Sequence, residues 1–594
     1  MSVLETLHSV FGFDDFRPGQ AEIVEALVAK RDVLAVMPTG AGKSLCYQLP
    51  ALLGDGITIV ISPLIALIDN QLAQLKALGA AAGAIHSGRE RYESVNDWRA
   101  AQEGSLKLLY MSPERLMTPR MMSALNSINV ERFIVDEAHC VSQWGHDFRP
   151  DYFALAQLKE KFPDIPIAAF TATADERTRD DIVSRLLRKK PIVKVHGFNR
   201  PNIEIEIRDK DKPKDQLIDL LDDHKNQQGI IYCLSRKETE EVADFLSAKG
   251  YCAQAYHAGL DHETRNERLN RFLTDPELII VATIAFGMGI DKPDIRFVFH
   301  YCVPASIEAW YQEIGRAGRD GEPARAIMLY STSDAARRRR MIEMGAPNAA
   351  SADHKRLDDL LAICERNACR RQSLLSHFGE DSPPCNHCDI CLTPPEMIDA
   401  RHEAGLVLQT IAQTGQLYGA NFIIDILRGS QAQKIIDKQG DQCTTYEEGK
   451  MHNVTTWRTI IRNMTSDGLL HVDPEYGSLQ LTALSRDSAV TPNFTMRKQV
   501  IAKRSRTKKA TPTIDPHSRI LLAALKAHRF NLAKERNVPA YVIFTDKTLI
   551  DMAHKKPGSK SEFKSVFGVG EAKVRDFSDS FLKIIEQSDL DMAG

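Results

Sequence analysis

Two series of short apolar runs, each interrupted by amphipathic stretches, constrain this chain more than any other feature. The first series falls at residues 33–37, 57–61, 106–111, 133–135 and 165–170, the second at 229–233, 252–256, 278–282, 297–300 and 326–330. Continuous rather than alternating apolar runs suit strands buried on both faces of a parallel sheet, with the intervening helices as cover. The pattern predicts an α/β multidomain chain that opens with two doubly wound parallel-sheet domains, hinged between Pro191 and Pro201. At 594 residues the chain exceeds what one hydrophobic core sustains, and three to five domains are expected.

The later sequence has a different texture. A helical stretch from about residue 346 runs into a cysteine-rich turn that ends at Cys391. Beyond residue 395 come helices and a small hairpin, 469–473 and 478–482, turned by Pro474-Glu475-Tyr476-Gly477; this order resembles a winged helix. Arg497, Lys498, Lys503, Arg504, Arg506, Lys508 and Lys509 crowd a basic linker, and the remainder is compact and mostly helical. The expected divisions are 1–197 and 198–345 for the two lobes, 346–395 for the cysteine module, 396–496 for the winged helix, 497–514 for the linker and 515–594 for the last domain.

The net charge is −3, so any nucleic-acid surface has to be local rather than global. The N-terminal residues lack a basic region followed by an apolar core, and no secretory signal is read there. The most apolar window, 57–68, is broken by Pro63 and is too short to span a bilayer. Eleven cysteines, clustered only between Cys364 and Cys391, suit a reducing cytoplasm and a metal site better than a disulfide framework.

Met37-Pro38-Thr39-Gly40-Ala41-Gly42-Lys43-Ser44 lies between the first strand and a helix, the context a phosphate-binding loop requires. Gly40 and Gly42 let backbone amides converge on phosphate, Lys43 supplies charge to the β- and γ-phosphates, and Ser44 can ligate Mg²⁺. Met37 stands where the general pattern has glycine. Asp136 and Glu137 follow the apolar run 133–135, where ligands of open α/β sheets gather. Asp136 is expected to hold Mg²⁺ through water and Glu137 to polarise the attacking water. Arg316 and Arg319, read as sharing one helix face, could reach across a cleft to a γ-phosphate, with Arg319 as the tip and Gln312 in register. Gln20 can offer a donor and an acceptor to an adenine edge, with Phe13 or Arg17 stacking on the ring. Alone, an Asp-Glu pair would be a helix cap and an arginine pair a solvated face; together they describe a nucleotide site.

The residues after Glu137 run directly into Trp144, Phe148 and Arg149. Aromatic faces plus guanidinium are what a protein uses to hold unstacked bases, so the loop couples two chemistries and points to a motor on nucleic acid. Cys369, Cys385, Cys388 and Cys391 form C-x15-C-x2-C-x2-C, the donor set of a closed structural Zn²⁺ site. Cys364, His377 and His387 lie nearby and are read as decoys, Cys364 as a buried apolar residue. Tyr476 at the hairpin tip could stack on a terminal base pair or be merely an exposed turn residue.

FRPGQ, MPTGAGKS, SPLIALIDNQ, YMSPERL, DEAHCVSQWGHDFRPDY, TAT, IIYCLSRK, HAGL, VATIAFGMGIDKPD and QEIGRAGRDG together resemble RecQ-type DNA helicases of helicase superfamily 2, over nearly the whole chain. The resemblance implies two RecA-like lobes, a helical zinc module, a winged helix and a small all-α HRDC domain, the last on LAKERNVPAYVIFTDKTLIDMA and FKSVFGVGEAKVRDF. It implies ATP-driven 3′-to-5′ unwinding during recombination and repair. The implied partners are ATP with Mg²⁺, single- and double-stranded DNA, and a single-stranded-DNA-binding protein or other repair factors, with the chain acting as a monomer in the cytoplasm. Lys547, Lys555, Lys556, Lys560 and Lys564 are candidate phosphate contacts of the HRDC domain or simply solubilising charges. Ala41, Phe13 and Asn199 depart from the usual glycine, tyrosine and aspartate of the family without removing a required group. An ATPase that acts on RNA or translocates without unwinding, and a DNA-binding scaffold with a vestigial ATPase, compete with this reading. The intact Lys43, Asp136, Glu137, Arg316 and Arg319 weigh against the scaffold.

Overall fold

A computed structural model describes residues 2–593 apart from 143–148, 189, 285, 287–291, 345–349, 395, 474–476, 487–493, 498–515 and 537. The first lobe is built on a seven-stranded parallel sheet: β1 Val33–Val36, β2 Ile57–Ile61, β3 Ala82–Ile85, β4 Leu108–Met111, β5 Val130–Val135, β6 Ile167–Thr171 and β7 Ile192–Val195, in the order β3-β4-β2-β5-β6-β1-β7. The second has six: β8 Ile203–Asp209, β9 Gly229–Tyr232, β10 Ala253–Tyr256, β11 Ile279–Ala282, β12 Phe297–His300 and β13 Ala324–Tyr330, in the order β10-β11-β9-β12-β13-β8. With β7 set aside, the two sheets are wired identically. Helices on both faces bury the central strands completely; β1, β2, β9, β11 and β12 have no exposed residue. Side chains of Asp175, Ser235, Asp261, Ser306 and Ser331 cap the helices that follow them.

The sheets contain three strands that apolar runs do not announce. β3 reads Ala-Gly-Ala-Ile and lacks bulk; β7 and β8 are edge strands with partly exposed, alternating residues. Because β7 begins at Ile192 and β8 at Ile203, the link between lobes is residues 196–202, shorter than the proline-bracketed hinge the sequence suggested.

Helices Ala350–Glu365 and Arg370–His377 lead into the cysteine turn. Helices Arg401–Gln413, Ala420–Leu427 and Val454–Ser466 then pack around the buried Trp457 beside the antiparallel hairpin Leu470–Val472 and Leu479–Leu481. The last domain surrounds Phe544, Phe563 and Phe581 with helices Pro516–Glu535, Ala540–Ile543, Asp546–Lys555, Lys560–Lys564 and Glu571–Ala593. It docks on the first lobe: the Gly568 amide donates to the Gly12 carbonyl at 2.9 Å and the Tyr541 hydroxyl to Asn70 Oδ1 at 2.9 Å. Gly12 has φ +72°, and a Cβ there would fall 2.5 Å from the Val569 nitrogen, so the junction requires glycine. Among the described residues, no helix is long and apolar enough to cross a membrane.

Candidate active site

The loop after β1 carries Gly40 and Gly42, both at φ +81°, and Gly42 opens the helix Lys43–Leu53 from a left-handed backbone that favours glycine. This turn aims the helix N-terminus at the end of the sheet. Lys43 Nζ donates to the Met37 carbonyl at 3.3 Å. Ser44 Oγ accepts from Gln71 Nε2 at 2.9 Å; Gln71 in turn accepts from Gln48 at 2.7 Å, and Gln48 also donates to the Tyr110 hydroxyl at 3.1 Å. Sequence reading missed this chain, although Gln71 closes the SPLIALIDNQ motif.

Gln20 sits beside the phosphate loop and bonds to it. Its Nε2 donates to the Ala41 and Gly42 carbonyls at 2.8 and 3.3 Å, and its Oε1 accepts from the Arg17 amide at 3.0 Å. Both halves of the amide are thus engaged on the chain's own backbone, where they brace the phosphate loop. Arg17 adds a bond to the Gly40 carbonyl at 2.6 Å.

Asp136 leaves the end of β5, nearly buried, with Oδ1 accepting from the Glu137 amide at 3.0 Å and its carbonyl from the Tyr152 hydroxyl at 2.9 Å. Glu137 adopts φ 49°, ψ 45°, a left-handed conformation uncommon for a side chain of this size. Its carboxylate lies 3.4 Å from His139 Nδ1, and that nitrogen is 2.9 Å from Thr171 Oγ1.

Arg316 and Arg319 do not share a helix face. The helix Ile307–Ile314 ends at Gly315, and Gly318, at φ +56°, has its amide bonded to the Ile295 carbonyl, so both arginines ride on a turn. Two glycines ended a helix that arginine spacing alone had extended. The turn presses on the phosphate loop: a Cβ built on Gly40 would lie 3.2 Å from Arg319 Cγ. Gln312 Nε2 donates to Thr173 Oγ1 of the first lobe at 3.2 Å, so it spans the lobes.

These groups converge on a cavity of about 380 Å³. Phe13, Arg17, Thr39, Gly40, Gly42, Lys43, Ser44, Asp136 and Glu137 line it from the first lobe, and Gln312, Arg316 and Arg319 from the second; Gln20, Pro38 and Ala41 do not. An unanticipated wall comes from the last domain, through Tyr541, Lys547, Phe567 and Lys573. Phe567 packs on Phe13 with centroids 5.4 Å apart, and Lys547 Nζ sits 4.3 Å from the Phe567 centroid. Burial pushes Lys573 down to about 8. Lys555, Lys560 and Lys564 are instead paired with Asp551, Asp579 and Glu571 on the surface.

The sulfurs of Cys369, Cys385, Cys388 and Cys391 all lie within 4.8 Å of one another. Tetrahedral Zn²⁺ with Zn–S near 2.3 Å needs sulfurs about 3.8 Å apart, and Cys369 and Cys388 are at 3.9 Å. The residues fit a structural zinc ion. The nearby groups stay out of it: Cys364 is buried in the core, His377 pairs with Glu308 at 2.7 Å, and His387 Nε2 is 2.9 Å from the Pro201 carbonyl. Trp144, Phe148 and Tyr476 lie outside the described residues. Arg149 donates to the Pro63 carbonyl at 3.2 Å, which ties the start of its helix to the loop after β2.

Family models match in the same order as these units: DEAD/DEAH box helicase over residues 17–182, helicase conserved C-terminal domain over 212–321, RecQ zinc-binding over 332–392, RQC domain over 394–505 and HRDC domain over 519–585. The chain is similar to the ATP-dependent DNA helicase RecQ of Pasteurella multocida, 40% identical over 99% of this chain and 94% of that protein. It is 40% identical to the protein of the same name from Haemophilus influenzae, over 99% and 96% of the two chains, and 35% identical to that of Bacillus subtilis, over 97% of each.

Proposed function

Because the chain belongs to the RecQ family of ATP-dependent DNA helicases, we propose that it closes its two lobes on Mg-ATP and uses each hydrolysis to advance 3′ to 5′ along single-stranded DNA, parting the duplex ahead. The observation that carries this reading is a cavity that gathers Lys43, Asp136 and Glu137 from one lobe with Arg316 and Arg319 from the other. Lys43 and the loop amides bind the phosphates, Glu137 orients and polarises the attacking water, and the arginines offset charge as the γ-phosphoryl group departs. Ser44 and Asp136 line the same cavity and would hold Mg²⁺, which would neutralise phosphate oxygens there. Hydrolysis needs both lobes at once, so it is sensitive to whatever strand lies across them.

Trp144, Phe148 and Arg149 would grip that strand and report its presence to Glu137, and Tyr476 would act as the separating wedge. Recombination and repair intermediates are the duplexes this engine would serve, with a single-stranded-DNA-binding protein or other repair factors as partners. Strand displacement on duplexes with a 3′ or a 5′ overhang tests the reading: ATP-dependent unwinding is expected with the 3′ overhang only. Equal unwinding of both, or ATP turnover indifferent to DNA, would contradict it. Trp144→Ala is expected to bind DNA and lose most DNA-stimulated hydrolysis.

A further inference from the structure

Arg200 lies in the link between lobes and makes four bonds to backbone carbonyls. Nη1 donates to Thr39 of the phosphate loop at 2.6 Å and to Gly315 at 3.3 Å; Nη2 donates to Ala317 at 3.0 Å and Gly318 at 2.8 Å. The last three carbonyls belong to the turn that follows the helix Ile307–Ile314, where the negative end of the helix dipole favours a cation. A planar guanidinium presents two donor edges in a fixed geometry, which a flexible ammonium does not. Burial pushes Arg200 down to about 10, which leaves it charged at neutral pH. The loops it joins already touch: a Cβ on Gly315 would fall 2.1 Å from Thr39 Oγ1.

The link is itself gripped from the zinc module. Arg371, two residues after the ligand Cys369, donates to the Arg200 carbonyl at 2.5 Å, to Asn199 Oδ1 at 3.1 Å and to the Ile203 carbonyl. His387, between ligands Cys385 and Cys388, reaches the Pro201 carbonyl. A continuous set of bonds therefore runs from the cysteine turn through the link to both walls of the nucleotide cleft.

We propose that Arg200 is a positioning residue for hydrolysis, clasping the phosphate loop to the turn that carries Arg316 and Arg319, and that Arg371 of the zinc module holds it in register. The inference rests on the cleft being the ATP-hydrolysing site. Without the clasp, nucleotide still binds the first lobe, but the arginines no longer meet the γ-phosphoryl group at the right distance. A misplacement of about 1 Å costs roughly 100-fold in rate.

The test compares wild type, Arg200→Lys, Arg200→Ala and Arg371→Lys, each checked for bound zinc and a cooperative melt. For Arg200→Lys, kcat with single-stranded DNA is expected to fall roughly 10- to 100-fold while ADP affinity stays within about threefold. Affinity for ADP with aluminium fluoride, which imitates the transferring phosphoryl group, is expected to fall with kcat. Arg371→Lys is expected to lower kcat in the same way and to add little in the double variant. A zinc-loaded, folded Arg200→Lys with wild-type kcat overturns the proposal. So does a loss of kcat matched by an equal loss of ADP affinity, which would mark Arg200 as a prop for the loop alone. Full additivity with Arg371→Lys removes the zinc module's part. Should Arg200→Ala fail to fold, the lysine variant decides. Failure of wild type to hydrolyse ATP would instead sink the reading of the cleft.

Discussion

The two lobes share one strand order but differ at every loop that matters chemically. The loop after β1 holds glycines and ends in Lys43; its counterpart after β8 reads Lys210-Asp211-Lys212-Pro213 and has no glycine. Lys210 is pinned there, 3.0 Å from the buried Asp334 carboxylate and 2.5 Å from the Tyr301 carbonyl. The connection from β5 to β6 carries Asp136 and Glu137, and the matching connection from β12 to β13 carries Arg316 and Arg319. One feature survives in both. His86 after β3 and His257 after β10 are buried and each sits 3.0 Å from a half-exposed carboxylate, Asp69 or Glu240. A duplicated framework thus supplies equivalent positions, and the lobes differ in their crossover loops: the glycine loop with Lys43 and the two carboxylates on one side, the arginine turn on the other.

Swapping matched positions breaks this comparison most directly. Lys43→Ala is expected to abolish ATP hydrolysis and leave DNA binding intact in a filter or anisotropy assay. Lys210→Ala is expected to spare hydrolysis but cost up to about 3 kcal/mol in urea unfolding, since it leaves the buried Asp334 carboxylate with Arg337 as its remaining cation. Comparable turnover in the two variants would erase the asymmetry. Arg319→Ala should lower kcat by about 10³-fold or more, with ADP affinity nearly unchanged, if the second lobe contributes only when the cleft is shut. Wild-type kcat there would return catalysis to the first lobe alone.

Smaller effects sharpen the picture. Gln71→Leu removes the donor on Ser44 and leaves the Gln48 amide with the Tyr110 hydroxyl as its remaining acceptor, so a loss of about 1–3 kcal/mol in stability is expected, together with a raised KM for Mg-ATP. An unchanged KM would mean the Gln48–Gln71 chain only supports the core. The smallest effect concerns the seam between the second lobe and the zinc module, where His377 meets Glu308. Burial opposes the charge on both groups, yet their contact holds the His377 pKa above its ordinary value and lowers that of Glu308 to about 2. The raised histidine stabilises fully below about pH 6.5 and loses its contribution as pH climbs through the folded value; the lowered carboxylate contributes above about pH 4.5 and fades toward 2. His377→Gln should therefore lower Tm more at pH 6 than at pH 9, and an equal drop would assign the loss to packing.

Local patterns carried most of what was readable. The glycine loop and the Asp136-Glu137 turn, which meet at one cavity, and the four clustered cysteines can each be picked out from a few contiguous residues or a short spacing, as can strands that are apolar throughout. What escaped depends on long-range geometry or on balance between neighbours. β3 has too little bulk to register, and β7 and β8 carry the charges of sheet edges. The bonds from Gln20 to the carbonyls of Ala41 and Gly42 span 21 and 22 residues, and no local pattern announces them. Arg316 and Arg319 looked helical because spacing says nothing of where glycine ends a helix. Arg200 offered no local signal at all, because its partners lie 115 to 161 residues away.

The cleft that holds the phosphate loop is walled by Phe13 at one end of the chain and by Phe567 and Lys573 at the other. A ribosome releasing this polypeptide would complete the loop, the carboxylates and the arginine turn long before the final wall emerged. The half-made molecule would carry every reactive group yet stand open on one side, so the shape of the chamber is settled last.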